Sequence, residues 1–471
     1  MLFNSLAFLF FFIIVVSVYW FIKSNTGRNL LLLAASYFFY GWWNYRFLAL
    51  LFLFTVVNYF VGLWLPVVSH RRKQLLTAGI IFNAGTLIIF KYFNFFSQSL
   101  IGFLTTLGFS ISAYTLNLVL PLGISFFTFQ ATSYIIDVYK GEVPGCRNFL
   151  SFALFKSFFP QLVAGPIERA AHLMPQVERA RSFDAKQAYE GLKFIILGYF
   201  LKCVVADNMA PFVNQVMAAP QMYSAPTLIF AAYCFAFQIY GDFAGYSYIA
   251  IGTAAMFGIN LMTNFNSPYL ALSVREFWKR WHISLTSWFS KYFYISLLGG
   301  NRCGKIRNIV NVLLTFVVSG FWHGANWTFI MWGFLNGVMY YFKPPFKSDR
   351  GLLKLFNAFI CFNMICLTWV FFRAKSIDDG FVILKRIFTF SNGQNLLTEP
   401  FIYTPPETPS GVLLLIMLML ITFEYQQRNR CCIIDFGARS PAFMYFFGWA
   451  VLFILFFLGS FTNKPFIYFN F

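Results

Sequence analysis

Ile309-Val310-Asn311-Val312-Leu313-Leu314-Thr315-Phe316-Val317-Val318 is followed by Ser319-Gly320-Phe321-Trp322-His323-Gly324-Ala325-Asn326-Trp327, and Thr328–Met339 then resumes the apolar character. One ionisable side chain thus lies between two greasy runs. In hydrocarbon such a residue is costly, and it marks a polar pathway or a reaction site by default. Burial would favour the neutral imidazole. A neutral imidazole can accept the proton of a hydroxyl, the role of a general base in acyl transfer. Gly320 and Gly324 flank His323 and let backbone or ligand come close. The competing reading is a buried histidine bonded to a neighbouring carbonyl.

The rest of the chain has the same greasy character. Of 471 residues, 59% are apolar, 11% are charged and 22% are aromatic. Soluble globules, disordered chains and nucleic-acid-binding domains do not have this composition. A polytopic membrane protein does, and its aromatic rings suit lipid contact and interfacial belts. At roughly 20 residues per span the composition has a ceiling near 14 spans, and the placement of runs gives about 11. Leu6–Ile22 lacks a basic flank and a small-residue cleavage site, so it reads as a retained span. Runs shorter than about 17 residues, such as Leu100–Phe109 and Leu228–Tyr240, read as re-entrant, interfacial or protein-buried helices.

Lys and Arg number 35 against 16 Asp and Glu, a net charge of +19. Positive loops retained in the cytoplasm account for this excess. Clusters after the first and third runs put the N-terminus outside. Arg169–Gln187, Lys343–Lys354 and Tyr425–Arg439 read as internal, and the Lys- and Arg-free Ser391–Ser410 as external. Arg373, Lys375, Lys385 and Arg386 fall on the outer side by alternation, against the rule. Ser376-Ile377-Asp378-Asp379 there looks like the cap of a short surface helix.

The third quarter of the chain holds most of its polar chemistry. Ser273-Val274-Arg275-Glu276 fits a capping box. In the segment from Arg275 to His282, helical spacing puts Arg275, Lys279 and His282 on one face, and Glu276 and Arg280 form an i,i+4 pair. An amphipathic interfacial helix with Trp anchors is the simpler reading. Ser267 with Pro268 reads as another helix start. Asp242, in Gln238–Tyr246, is a second ionisable group among apolar residues, placed to orient a histidine or pair with Arg275. His70 and His172 read as solvated. The eight cysteines contain no C-x-x-C pair, and with four histidines in the chain no structural zinc site or disulfide framework is expected. Gly299–Lys305 resembles a phosphate loop, but Ile306 occupies the Ser/Thr position. No G-x-S-x-G or H-E-x-x-H occurs.

Longer motifs carry a family likeness. Phe158-Phe159-Pro160-Gln161-Leu162-Val163-Ala164-Gly165-Pro166-Ile167, Gln238–Gly252, Asn266-Ser267-Pro268-Tyr269-Leu270, Glu276–Leu285 and Gly320–Gly324 resemble the membrane-bound O-acyltransferase family, most closely its alginate O-acetyltransferase branch. The likeness covers nearly the whole chain, 1–471, as a single domain and is densest between about 119 and 340. It implies an all-α polytopic fold, a ring of membrane helices around a central tunnel with short re-entrant and interfacial helices. It implies that His323 is the catalytic histidine and His282 its second polar position. Asp242, Asn264, Arg275, Trp278, Lys279, Trp322 and Asn326 are then candidates for the substrate tunnel. No bound cofactor or metal is implied; acetyl-CoA or another acyl thioester is the expected donor. The expected location is a bacterial cytoplasmic (inner) membrane. The expected partners are the bilayer, an extracytoplasmic SGNH-type acetyltransferase and a polysaccharide such as alginate, another exopolysaccharide or peptidoglycan. A glycan or acyl-carrier transporter without chemistry, or a D-alanyl or longer acyl donor, is the alternative. Tyr248 and Lys291 stand where this branch usually has acidic residues.

Overall fold

The computed structural model describes residues 1–109, 112, 114–346, 351–391, 409–427, 441–461 and 464–467. The proposed external loop at Ser391–Ser410 and the proposed internal loop at Tyr425–Arg439 fall largely outside the described residues. Among the described residues the secondary structure is helical, without strands. In chain order come α1 (Leu6–Phe21), α2 (Asn25–Gly41), α3 (Arg46–Trp64), α4 (Arg72–Leu87), α5 (Phe93–Thr106), α6 (Ile124–Lys140), α7 (Phe149–Ser157), α8 (Phe159–Leu162), α9 (Ala170–Glu178) and α10 (Ala185–Tyr199). Then come α11 (Asp207–Ala218), α12 (Ala225–Ala255), α13 (Val274–Arg280), α14 (Ile283–Trp288), α15 (Lys305–His323), α16 (Trp327–Met339), α17 (Gly351–Arg373), α18 (Ile377–Phe388), α19 (Ser410–Gln427) and α20 (Pro441–Leu458).

Five described helices are long and apolar enough to cross a membrane: Arg46–Trp64, Arg72–Thr106, Ala185–Ala218, Ala225–Ala255 and Gly351–Arg373. Two of them join helices through π-helical turns, at Ile88–Tyr92 and Phe200–Ala206. The sequence separates Leu75–Phe90 from Leu100–Phe109, yet α4 and α5 form one rod through the first of these turns. It also ends an apolar run at Tyr240, whereas α12 continues to Ala255.

The chain forms two compact units, residues 1–192 with 250–262, and residues 193–249 with 263–471. In the first, Ser5 and Ser24 cap α1 and α2 by accepting from the backbone N–H groups of Phe8 and Gly27. Asn58 of α3 and Asn83 of α4 exchange two amide hydrogen bonds of 2.9 Å in the buried interior. Their pairing satisfies polar groups that neither lipid nor apolar neighbours could. The lipid-compatible faces carry exposed Leu6, Phe10, Ile14 and Phe21.

The second unit contains a close helical hairpin, α15 with α16. A Cβ on Gly320 would lie 2.2 Å from Phe329 O, and one on Gly333 2.3 Å from Phe316 O. Only glycine allows that approach, as small residues do between membrane helices. Gly241 and Gly245 do the same for α12: their Cβ atoms would lie 2.8 Å from Leu201 O and 2.7 Å from Gly198 O. These glycines are therefore packing residues inside a continuous helix, not the end of one. Ser376 caps α18, as its sequence suggests, by accepting from Asp379 N at 3.0 Å.

Candidate functional site

His282 stands between two short helices. Ser273 starts α13 by accepting from Glu276 N, and Glu276 returns an acceptor to Leu272 N. The helix stops at Arg280, and His282 adopts a left-handed conformation (φ 44°, ψ 54°) before α14 begins. That geometry is uncommon for a side chain other than glycine and is held only where its surroundings fix it. Asn264 does the fixing. Its Oδ1 lies 3.3 Å from His282 Nδ1 and accepts from Ser284 Oγ at 2.6 Å, its Nδ2 donates to Ser247 Oγ at 3.1 Å, and its carbonyl accepts from Ile283 N. Phe243 covers the imidazole edge-on at 4.4 Å between ring centroids. His282 is buried, and burial pushes its pKa down, so the ring is neutral at physiological pH.

The expectation that Arg275, Lys279 and His282 share one helical face is corrected by this turn. His282 lies beyond the helix and is buried, whereas Arg275 and Lys279 are exposed. Arg275 sits over the Tyr340 ring at 5.6 Å. The Glu276–Arg280 pair forms, at 2.7 Å.

His323 is the last residue of α15 and is 3% exposed. Trp332 meets it edge to face at 5.1 Å and Phe372 at 5.4 Å. Trp332 stacks on Trp369, which in turn touches Trp281 at 5.2 Å. Trp322 bridges the two histidines, with ring centroids 4.9 Å from His323 and 6.3 Å from His282. Residues 41 positions apart in the chain therefore share one aromatic wall. Trp278 belongs to it too: it contacts Trp332 at 5.6 Å and donates to Asn336 Oδ1 at 3.2 Å. Asn326 is exposed and caps α16 by accepting from Thr328 N at 3.0 Å. Gly320→Ala is expected to push the hairpin apart, because its Cβ meets a backbone carbonyl. Overpacking of this kind costs about 1–3 kcal/mol. A thermal unfolding curve in detergent should shift downward, with acyl transfer falling alongside it; an unchanged curve would remove the close approach from the explanation.

Asp242 pairs with Lys202, not with Arg275. Lys202 Nζ lies 2.5 Å from Asp242 Oδ1 and 3.0 Å from Asp207 Oδ1, all three residues being buried. The second oxygen of Asp242 accepts from Ile467 N. Lys202 and Asp207 were hidden in sequence inside and just after an apolar run. The cations that break the charge rule near Arg373 are spent on neutral acceptors: Arg373 donates to Asn214 Oδ1, Lys375 to Ala218 O and Arg386 to Tyr223 O.

The first unit holds a further imidazole. His172, read as solvated, is half-exposed, and its Nδ1 lies 2.6 Å from Oε2 of the fully buried Glu168, whose other oxygen accepts from Met262 N. The hydrogen bond to Glu168 raises the His172 pKa, and burial raises that of Glu168. The raised His172 value stabilises the fold fully at pH below the ordinary imidazole value, and the benefit fades as pH climbs through the raised one. Thermal stability should thus decline as pH rises past the ordinary imidazole value and through the raised one. His172→Gln should flatten that decline; an equal slope in the variant would exclude the pair as its source.

The family model for membrane-bound O-acyltransferases matches residues 143–372. The chain is 38% identical over 356 residues to "Probable alginate O-acetylase AlgI" of Azotobacter vinelandii, covering 74% of this chain and 70% of that protein. It is 37% identical over 376 residues to "Peptidoglycan O-acetyltransferase" of Helicobacter pylori, covering 73% and 70%. It is 30% identical over 300 residues to "Teichoic acid D-alanyltransferase" of Streptococcus thermophilus, covering 57% and 71%. The chain belongs to the membrane-bound O-acyltransferase family. It is a membrane-embedded acyltransferase, and both histidines lie within the matched segment.

Proposed function

We propose that this chain, acting as one domain, takes an acetyl group from a cytoplasmic thioester and delivers it for O-acetylation of an extracytoplasmic polysaccharide. The observation that carries the reading is the burial of His323 in an aromatic wall, one indole away from the buried His282. Such a site excludes water, which would otherwise hydrolyse an acyl thioester. His323 takes the proton of the attacking hydroxyl as its oxygen bonds to the acyl carbonyl carbon. The carbon–sulfur bond then breaks, and the proton passes from the imidazolium to the departing thiolate. His282, held by Asn264 and Phe243, positions the reacting groups. Acetyl-CoA is the donor we favour. The relatives' names support a glycan acceptor outside the cell, alginate or peptidoglycan. An extracytoplasmic SGNH-type partner would complete the transfer. The protein would lie in a bacterial inner membrane with its N-terminus outside.

The test supplies acetyl-labelled CoA to the purified, reconstituted protein and measures free CoA and label on the acceptor. Protein-dependent release of CoA with acetyl ester formed supports the enzyme. Movement of substrate with the thioester intact supports a carrier instead. The D-alanyltransferase relative gives the donor question a specific alternative, and the mass added to the polymer decides it.

A further inference from the structure

The first unit brings together two arginines that have no part in the chemistry above. Arg28 follows the first apolar run, and Arg181 lies in the stretch Arg169–Gln187; their charge places both on the cytoplasmic side. In the fold they meet at the corner between α1 and α2. Both guanidinium groups lie over the Tyr19 ring, 5.2 and 5.7 Å from its centroid, and that of Arg28 also lies 4.8 Å from the centroid of Trp20. Arg28 donates to Ile22 O at 2.7 Å and to Arg181 O. Arg181 donates to Asn25 Oδ1 at 3.1 Å and to Asn29 Oδ1. Every one of these acceptors is neutral.

The positive charge is therefore left uncompensated. Neither arginine makes an ion pair among the described residues. The acids nearest Arg181 in sequence turn to other groups: Asp184 Oδ1 accepts from Lys186 N at 2.8 Å, and Glu178 Oε1 lies 3.9 Å from Cys146 Sγ. Burial foremost, with the Arg28 charge adding to it, lowers the Arg181 pKa. Two neighbouring cations without a counter-ion repel each other, and an anion between them reverses the sign of that interaction. Phosphate oxygens match guanidinium donors two at a time. The rim decides what carries the phosphate. Phe21, Leu30 and Phe183 are exposed, and Trp20 meets Phe183 edge to face at 5.3 Å. Helix α1 is apolar and ends at Phe21, beside Trp20, a residue type of the headgroup level. Exposed apolar side chains around a cationic pair suit a molecule with an anionic head and hydrocarbon chains, not a soluble anion.

We infer that this corner is a binding site for an anionic membrane phospholipid, its phosphate held between Arg28 and Arg181 and its acyl chains laid against Phe21, Leu30 and Phe183. The test uses the full chain purified in detergent and hydrogen–deuterium exchange read by mass spectrometry. The probes are phosphatidylglycerol and phosphatidylcholine with the same short acyl chains, and inorganic phosphate and CoA as soluble phosphate carriers. Phosphatidylglycerol should slow exchange in peptides covering residues 22–30 and 179–184. Half of that protection should need at least about tenfold less phosphatidylglycerol than phosphatidylcholine, the scale that two arginines at headgroup level give. The double variant Arg28→Gln, Arg181→Gln should abolish the preference, and Arg28→Lys, Arg181→Lys should keep part of it. Should the glutamine variant fold poorly, Phe183→Ser at an exposed position offers an independent arm: it should weaken both lipids severalfold and leave the preference intact. Equal protection by the two lipids, protection confined to other peptides, or a preference untouched by the glutamine variant would overturn the site. Equal protection by inorganic phosphate or CoA at the lipid concentration, or lipid binding unchanged in Phe183→Ser, would overturn the lipid as its occupant.

Discussion

His323→Ala is expected to lower acetyl transfer by about 10²–10⁴-fold, the usual contribution of a positioned general base. Membrane levels of the protein should be unchanged. The imidazole is buried against Trp332 and Phe372, so its loss also opens a small cavity. His323→Gln, which keeps most of the volume and a polar tip, separates the two effects. It should match the alanine variant in rate while retaining the wild-type melting temperature. The measurement is acetyl ester on the acceptor per unit of protein. Undiminished acetylation in either variant would remove His323 from the proton transfer.

The largest effect on the fold is expected at Lys202. This ammonium lies 2.5 Å from Asp242 and 3.0 Å from Asp207, all of them buried. Lys202→Met would leave two carboxylates facing each other without the ammonium that bridges them. Removing one partner of a buried ion pair costs about 3–5 kcal/mol. Folded yield and unfolding temperature in detergent should both drop. The triple variant Lys202→Met, Asp207→Asn, Asp242→Asn should regain much of the loss, since it removes every buried charge together. Equal destabilisation of the single and triple variants would mean that side-chain shape, not charge, holds the three helical segments together.

The readable parts of the sequence are those whose signal is local. The capping serines at 273 and 376, the Glu276–Arg280 pair and the apolar rods each depend on residues within a few positions of one another. The burial of His323 is legible for the same reason, a lone imidazole between glycines and long apolar runs. The Lys202 cluster was not. Lys202 and Asp207 are five apart, which is no neighbour spacing on an α-helix. The π-helical turn at Phe200–Ala206 brings them together, with Asp207 N donating to Lys202 O. Asp242 comes from 40 positions away, through a glycine-lined helix contact that the sequence reads as a helix end. Helical periodicity misplaces His282, because the helix ends at Arg280 and His282 is left-handed. Its true neighbours, Asn264 and Phe243, are 18 and 39 positions away. Long-range packing, not propensity, makes that half of the site.

In the proposed mechanism acyl chemistry occurs at His323 within the bilayer and its product leaves on the far side. Vesicles with the protein in a single orientation test this directly. Labelled acetyl thioester is supplied on the cytoplasmic face and an acceptor glycan with its partner protein on the other. The label should appear as ester on the far side at the rate of CoA release, and His323→Gln should abolish both together. CoA release with label confined to the donor side, or far-side ester that persists in His323→Gln, would exclude transfer through His323.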